Sequence, residues 1–259
     1  MKACPSIFAL ILLCASCLPA CAESPEEETP AAPRTGFEVP AEGSLQWKPL
    51  LLQNGLFLGL QHGFRFATQE ETRGNLRGPF FKDYFKSVSG LQGWDDGDSW
   101  LANYVGHPMQ GAVYGHTYLQ NHTREKFLPV DFRSADYWKS RSKAMAWMAV
   151  ASTHYEIGPF GEAAFGNVGK REGTKGAVDL VITPTMGFAL LVVEDFIDDR
   201  IVLPIERRVH NKFLRLFIRS ALNPDRAMAN LLRFKVPWHR DTRAGVGFHS
   251  DAFPRNGRP

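Results

Sequence analysis

Cysteine is missing from almost the whole chain. Its four copies, Cys4, Cys14, Cys17 and Cys21, fall within the first 21 of 259 residues. What folds beyond them has no disulfide, no thiol nucleophile and no cysteine-ligated zinc or iron–sulfur centre. Roughly 240 remaining residues are enough for one core to hold without cross-links. Also missing are a nucleophile elbow, a His-Glu-x-x-His pair and a phosphate-binding loop. Asp95-Asp96-Gly97-Asp98 lacks the alternating ligands and distal Glu of a calcium loop, so it reads as a helix-start cluster, and no metal or cofactor is expected. No internal repeat is visible.

The N-terminus carries an address. Lys2 precedes the apolar run Ile7–Leu13, and the small-residue stretch Leu18-Pro19-Ala20-Cys21-Ala22 follows. This is the layout of a secretory signal peptide over residues 1–21, with an apolar core too short for a permanent span. Ala20-Cys21-Ala22 fits a small-x-small cleavage site. Leu18-Pro19-Ala20-Cys21 also resembles a lipobox, in which Cys21 is lipidated and becomes the new N-terminus. Both forms stay open, and both place the chain in the periplasm, soluble or lipid-anchored.

Residues 22–45 are acidic and rich in Pro and Ala, with too little apolar surface to offset ordering, and read as a disordered tether. Dense aromatics and aliphatics begin at Trp47. The expected fold is mainly α: a single domain, residues 46–238, of packed, glycine-notched helices, with a loose basic tail over 239–259. Gly55, Gly59 and Gly63 notch a first apolar segment at four-residue spacing, and Gly111, Ala112 and Gly115 notch a later one. Asp98 is placed to cap the helix that Pro108 kinks or restarts. Tyr137–Tyr155 reads as a long buried helix, and Asn223-Pro224 as an N-cap with Pro at the first helical position.

Several polar residues on apolar helices need partners. Between Asp179 and Glu194 lie 14 residues without a formal charge, a length suited to a core or re-entrant helix. A helix through Pro184 puts Asp179, Thr183, Gly187 and Glu194 on one stripe. A buried unpaired carboxylate is costly, so this stripe serves either a structural network to arginines such as Arg141 or Arg65, or the wall of a site. Asn103 and His107 share a helix face, whereas His116, nine residues on, faces away. With Asp98, Glu156, Glu162, Asp179 or Glu194 converging, His107 can act in a His–carboxylate general-base pair. The alternative is that His107 satisfies a buried carbonyl or carboxylate.

Arg208, Lys212, Arg215 and Arg219 repeat at i, i+4, i+7 and i+11 beside an apolar face of Ile205, Val209, Phe213, Leu216 and Phe217. A basic amphipathic helix of this kind lies on an anionic membrane surface, or is simply a solvated face. From Glu206 to the end there are 12 Lys/Arg against 4 Asp/Glu, a balance of +8 that the whole-chain +3 conceals. Nucleic acid is not an expected partner of an exported chain, and any protein partner stays open.

The run Asp96-x-Asp98-x4-Asn103-x3-His107-Pro108-x2-Gly111-x2-Tyr114, followed by Ser152-x3-Glu156, Glu162 and Asp179-x3-Thr183-Pro184-x2-Gly187, resembles a family of uncharacterised bacterial envelope proteins. The resemblance covers about residues 90–200 and implies an exported, envelope-located helical domain, without an activity. The expected function is an envelope-associated, membrane-proximal structural or binding protein. The alternative is an envelope hydrolase or transferase acting on lipid or cell-wall material.

Overall fold

A computed structural model describes residues 39–75, 79–165 and 173–243. The expected signal peptide, Cys21, most of the tether and the end of the tail lie outside the described residues. In chain order the elements are α1 (Trp47–Thr68), the short α2 (Glu70–Asn75), α3 (Phe80–Ser89), a widened π-type turn (Ala102–Gly106) and α4 (His107–Gln120). Then come α5 (Ala135–Ile157), α6 (Val178–Ile197), a second π-type turn (Asp198–Val202), α7 (Leu203–Arg208), α8 (Lys212–Ala221) and α9 (Pro224–Leu232). The described residues are mainly helical, as the sequence predicts, and hold one isolated antiparallel bridge, Leu45 to His122.

α4 is the axis of the bundle. All of its residues except Met109 and Gln120 are buried, and α6, α5 and α9 close around it, with α1 against another side. Glycine sets the tightest contact. A Cβ on Gly111 would sit 2.1 Å from the Thr183 carbonyl oxygen, and one on Gly187 would sit 2.8 Å from the Gly111 Cα. α4 and α6 therefore meet backbone to backbone. The notches expected at Gly55, Gly59 and Gly63 receive no neighbour, because a Cβ there meets open space. Gly111→Ala is accordingly expected to cost about 1–3 kcal/mol by overpacking. Gly59→Ala should gain about 0.5–1 kcal/mol from helix propensity. Denaturant titration of the two variants checks both signs.

Some helix ends are built differently from expectation. Ser99 Oγ, rather than Asp98, accepts the Ala102 N–H (3.2 Å) at the helix start. Pro108 lies just inside α4, where the π-type turn has already widened the backbone, with His107 N–H bonded back to Ala102 O. Such turns absorb a missing donor without breaking the helix. Asn223 precedes α9 but makes no side-chain cap; the Glu194 carboxylate reaches over from α6 to accept the Asp225 and Arg226 N–H groups at 2.9 and 3.1 Å.

Both ends of the described chain are tied down. Within the stretch read as tether, Ser44 and Gln46 exchange backbone bonds with residues 121–123, and Arg124 Nε donates to Pro40 O. Within the stretch read as a loose tail, Arg240 and Arg243 reach buried carboxylates on the α6–α7 run. Short spacing between polar residues gave no hint of these long-range partners. The run from Val178 to Arg208 is continuous, and is long and apolar enough to cross a membrane by length and composition alone.

Candidate functional site

α6 carries acidic residues at both ends, and the two ends are built on opposite principles. At its C-terminal end and in the turn beyond it, most buried carboxylates meet arginine side chains. Asp195 accepts from Arg141 Nε (2.9 Å), Arg226 and the Tyr137 hydroxyl. Asp198 pairs with Arg226, Arg240 and Arg243, and Glu206 with Arg219 and Arg243. Burial alone would raise Asp195 and Asp198. For Asp198 the three guanidinium groups overrule it and hold the carboxyl far below the usual range, and Arg141 with Arg226 does the same for Asp195. Three carboxylates (Asp195, Asp198, Glu206) thus stand against five arginines (Arg141, Arg219, Arg226, Arg240, Arg243), while the buried Glu194 and Asp225 beside them carry no arginine pair among the described residues.

The N-terminal end has no such balance. Loop 92–98 lies against loop 173–178, held by Gln92 N–H to Lys175 O (2.7 Å), Ala177 N–H to Gly93 O and Val178 N–H to Trp94 O. Gly97 adopts a positive φ of 81° and packs its Cα against the Gly173 carbonyl, an approach that a side chain would block. This docking sets Asp96 and Asp98 over the first turn of α6. Asp96 Oδ1 accepts from Asn103 Nδ2 (2.7 Å) and from the Asp98 N–H (3.1 Å). The Asp96 and Asp179 carboxyls lie within hydrogen-bonding reach of each other. Asp179 Oδ2 is 3.2 Å from His107 Nε2, and Glu156 Oε1 is 3.8 Å from His107 Nδ1. Thr183 Oγ1, one turn below Asp179, lies 3.4 Å from Nδ1 and fixes the ring from the other edge.

Behind this group sits a second layer. Arg65 of α1 donates to Glu162 (3.0 Å), and His62 lies 3.6 Å from the same carboxylate while its Nε2 meets the Phe160 carbonyl at 2.8 Å. Tyr155 stacks on His62 with ring centroids 5.7 Å apart and stands edge-on to His107. The resulting pocket, of about 30 Å³, is lined by Arg65, Asp96, Asp98, His107, Glu156, Thr174 and Asp179. It holds one or two water-sized groups. Arg65 is the cation among its lining residues, against four lining carboxyls, with Glu162 a fifth behind it.

The electrostatics follow from that count. Burial, then the Glu156 charge and the bond to Asp96, push the Asp179 carboxyl up to about 10. Burial, then Glu162, pushes Glu156 well above the carboxylate range, with Arg65 opposing. Burial, then Arg65, brings the His107 ring down to about 4. At neutral pH the imidazole is thus neutral and the Asp179 carboxyl holds a proton, and burial shifts Glu156 in the same direction as Asp179.

Asn103, His107, Glu156 and Asp179 come together as their spacing suggests. Glu162 stands one step removed, behind Arg65. Glu194 does not join them: it shares the Asp179 stripe but lies fifteen residues on, about 22 Å along the helix. There it accepts from His116 at 2.8 Å and caps α9. Asp96 lines the pocket although it was legible only as part of a helix-start cluster, Arg65 lines it as a cation facing the carboxyls, and Tyr155 stands behind it. The basic stripe does not survive as one face. The helix stops at Arg208 and restarts at Lys212, and Arg219, 1% exposed, turns inward to Glu206. Arg208 and Lys212 remain exposed and Arg215 is half-buried.

No family model, curated protein or solved structure matches the chain.

Proposed function

We propose that this chain is an exported, envelope-associated binding protein that sits against a membrane and works through the acidic pocket at His107. The observation that carries the pocket is its surplus of buried acidic groups over cations, four lining carboxyls to the one lining arginine. Structural ion networks pair their charges, as the other end of α6 does, because an uncompensated buried charge is costly. A cluster that keeps several carboxyls around a neutral imidazole stores that cost where a ligand can relieve it, and perturbed groups of this kind concentrate at working sites. The spaced motif that resembles uncharacterised envelope proteins supplies five of the pocket's lining residues, Asp96, Asp98 and His107 from its first run and Glu156 and Asp179 from its later elements. Export rests on the N-terminal address.

Membrane contact is supported by what faces outward. On α8, Phe213 and Phe217 are 71% and 67% exposed, with Leu214 beside them and Lys212 at the end of the helix. Val181, Met186, Val193 and Phe196 form the outer stripe of α6, and Leu51, Leu52, Leu56 and Leu60 that of α1. Large exposed apolar faces mark interaction surfaces, and an aromatic ridge flanked by Arg208 and Lys212 suits an anionic headgroup layer. Co-sedimentation of the non-lipidated mature chain with vesicles containing anionic lipid tests this. Phe213→Ser with Phe217→Ser is expected to reduce binding about tenfold or more; unchanged binding sinks the contact.

A hydrolase or transferase acting on lipid or cell-wall material is the second reading, favoured by the ring of His107 lying between two carboxyls. His107→Ala in the native host tests the pocket under either reading. Loss of the cellular role in a folded variant supports it, and a fully functional variant refutes it.

A further inference from the structure

We propose that the pocket is a divalent-cation site in which His107, Glu156 and Asp179 are the ligands. This rests on the reading of the pocket as the working site, and names the class of ligand it takes.

Three observations converge. One ring nitrogen of His107, one Glu156 oxygen and one Asp179 oxygen all lie within 4.8 Å of one another. A zinc-like ion with bonds near 2.0–2.2 Å in a tetrahedral shell spaces its ligand atoms about 3.3 Å apart. The contact between His107 Nε2 and Asp179 Oδ2 is already 3.2 Å. Glu156 lies nearest the other ring nitrogen, 3.8 Å from Nδ1, so its side chain must turn toward the Asp179 side for all three to meet one ion. The ligands project from the ends of three helices, α4, α5 and α6; α4 and α6 meet backbone to backbone at Gly111 and Gly187, and Gly115 of α4 packs against Met148 of α5. Such a frame holds ligands in place without a cation present.

Second, Asp179 is 4% exposed and lines the pocket, yet its Oδ1 receives no hydrogen bond from a donor. Facing Asp96 it has another carboxyl, so something positive must sit between or beside them: a proton or a metal ion. Third, the surroundings resemble the outer layer of a metal site. Thr183 orients the imidazole, and Asn103 orients Asp96. Outer partners of this kind fix ring and carboxylate direction.

One imidazole with two carboxylates favours a first-row transition metal of the zinc or manganese type over calcium, which takes six to eight oxygens. The three protein ligands leave room for a water or a substrate oxygen in the remaining space. The chain's lack of cysteine beyond residue 21 makes an all-nitrogen-and-oxygen site the form open to it.

The test uses the purified mature chain, stripped with chelator and dialysed against Zn²⁺ or Mn²⁺ in turn, with Mg²⁺ and Ca²⁺ as comparisons. One ion per chain by elemental analysis is expected, together with a rise in melting temperature. Asp179→Asn and Glu156→Gln are expected to fold, since each keeps the shape and volume of the side chain it replaces. Each should weaken the ion by at least about 100-fold and abolish the metal-dependent rise in melting temperature. Absence of a stoichiometric ion overturns the proposal, as does binding that both variants leave unchanged. The two readings separate cleanly. If no ion binds but folded His107→Ala loses the cellular role, the cation is wrong and the working pocket stands. If an ion binds at these residues and His107→Ala keeps the role, the ion is real but the pocket is not the working site.

Discussion

Asp198→Asn is expected to lower stability by about 3–5 kcal/mol, which in a domain of this size moves the melting temperature by about 10 °C. Asp198 binds Arg226, Arg240 and Arg243 together. An amide keeps the shape but leaves three buried guanidinium groups short of a counter-charge. The pH dependence has a definite sign. The folded carboxyl is held far below its ordinary value of 3.8 by those arginines, against the effect of burial. Its contribution is therefore fully present above pH 4 and is lost as pH falls through that range and below. Urea titrations of wild type and variant at pH 7 and pH 3 check this: the gap between them should shrink on acidification. A loss below about 1 kcal/mol at pH 7 would remove the network from the account.

At the other end of the same helix the sign reverses. Metal-free Asp179→Asn is expected to be as stable as wild type near pH 4 and progressively more stable as pH rises. The Asp179 carboxyl is raised from 3.8 to about 10 in the fold, by burial first and then by Glu156 and Asp96. The folded chain thus holds a proton that the unfolded chain has released, and stability falls with pH throughout that window. Asparagine removes the titration. The expected gain at pH 8 relative to pH 5 is on the order of 1–3 kcal/mol, discounted from the full linkage because water reaches the pocket. His107 contributes the opposite slope. Its ring is lowered from 6.5 to about 4, chiefly by burial, so stability is lost as pH drops from about 6.5 toward 4. Melting curves of both chains across pH 4–9 in chelator separate the two groups. A variant destabilised at pH 8 would show that Asp179 is an ordinary structural carboxylate.

Much of the frame was legible because it depends on local rules. Helix periodicity placed Asp179, Thr183, Gly187 and Glu194 on one buried stripe, and small residues at 111 and 115 marked a close helix contact. Nine-residue spacing separated His107 from His116. What stayed hidden depends on which surfaces meet. Gly55, Gly59 and Gly63 look like notches in sequence, but no helix faces them. Arg219 reads as part of a basic face until the chain breaks at residues 209–211 and turns it toward Glu206. Asp96 looked like a residue serving a helix start; only the docking of loop 92–98 onto loop 173–178 makes it a neighbour of Asp179. Stripe geometry alone could not separate Asp179 from Glu194, because a shared face says nothing about distance along the axis.

The most direct test of the working pocket is Glu156→Gln in the full chain, read for melting temperature and for complementation of a deletion strain. Glu156 is buried, its carboxyl is raised well above the usual range by burial and then by Glu162, and it makes no pair with the arginine network at the other end of α6. A melting temperature at or above that of wild type, with the cellular role lost, is the expected result. A melting temperature lowered by as much as Asp198→Asn, with the role retained, would contradict the account and make the pocket part of the scaffold.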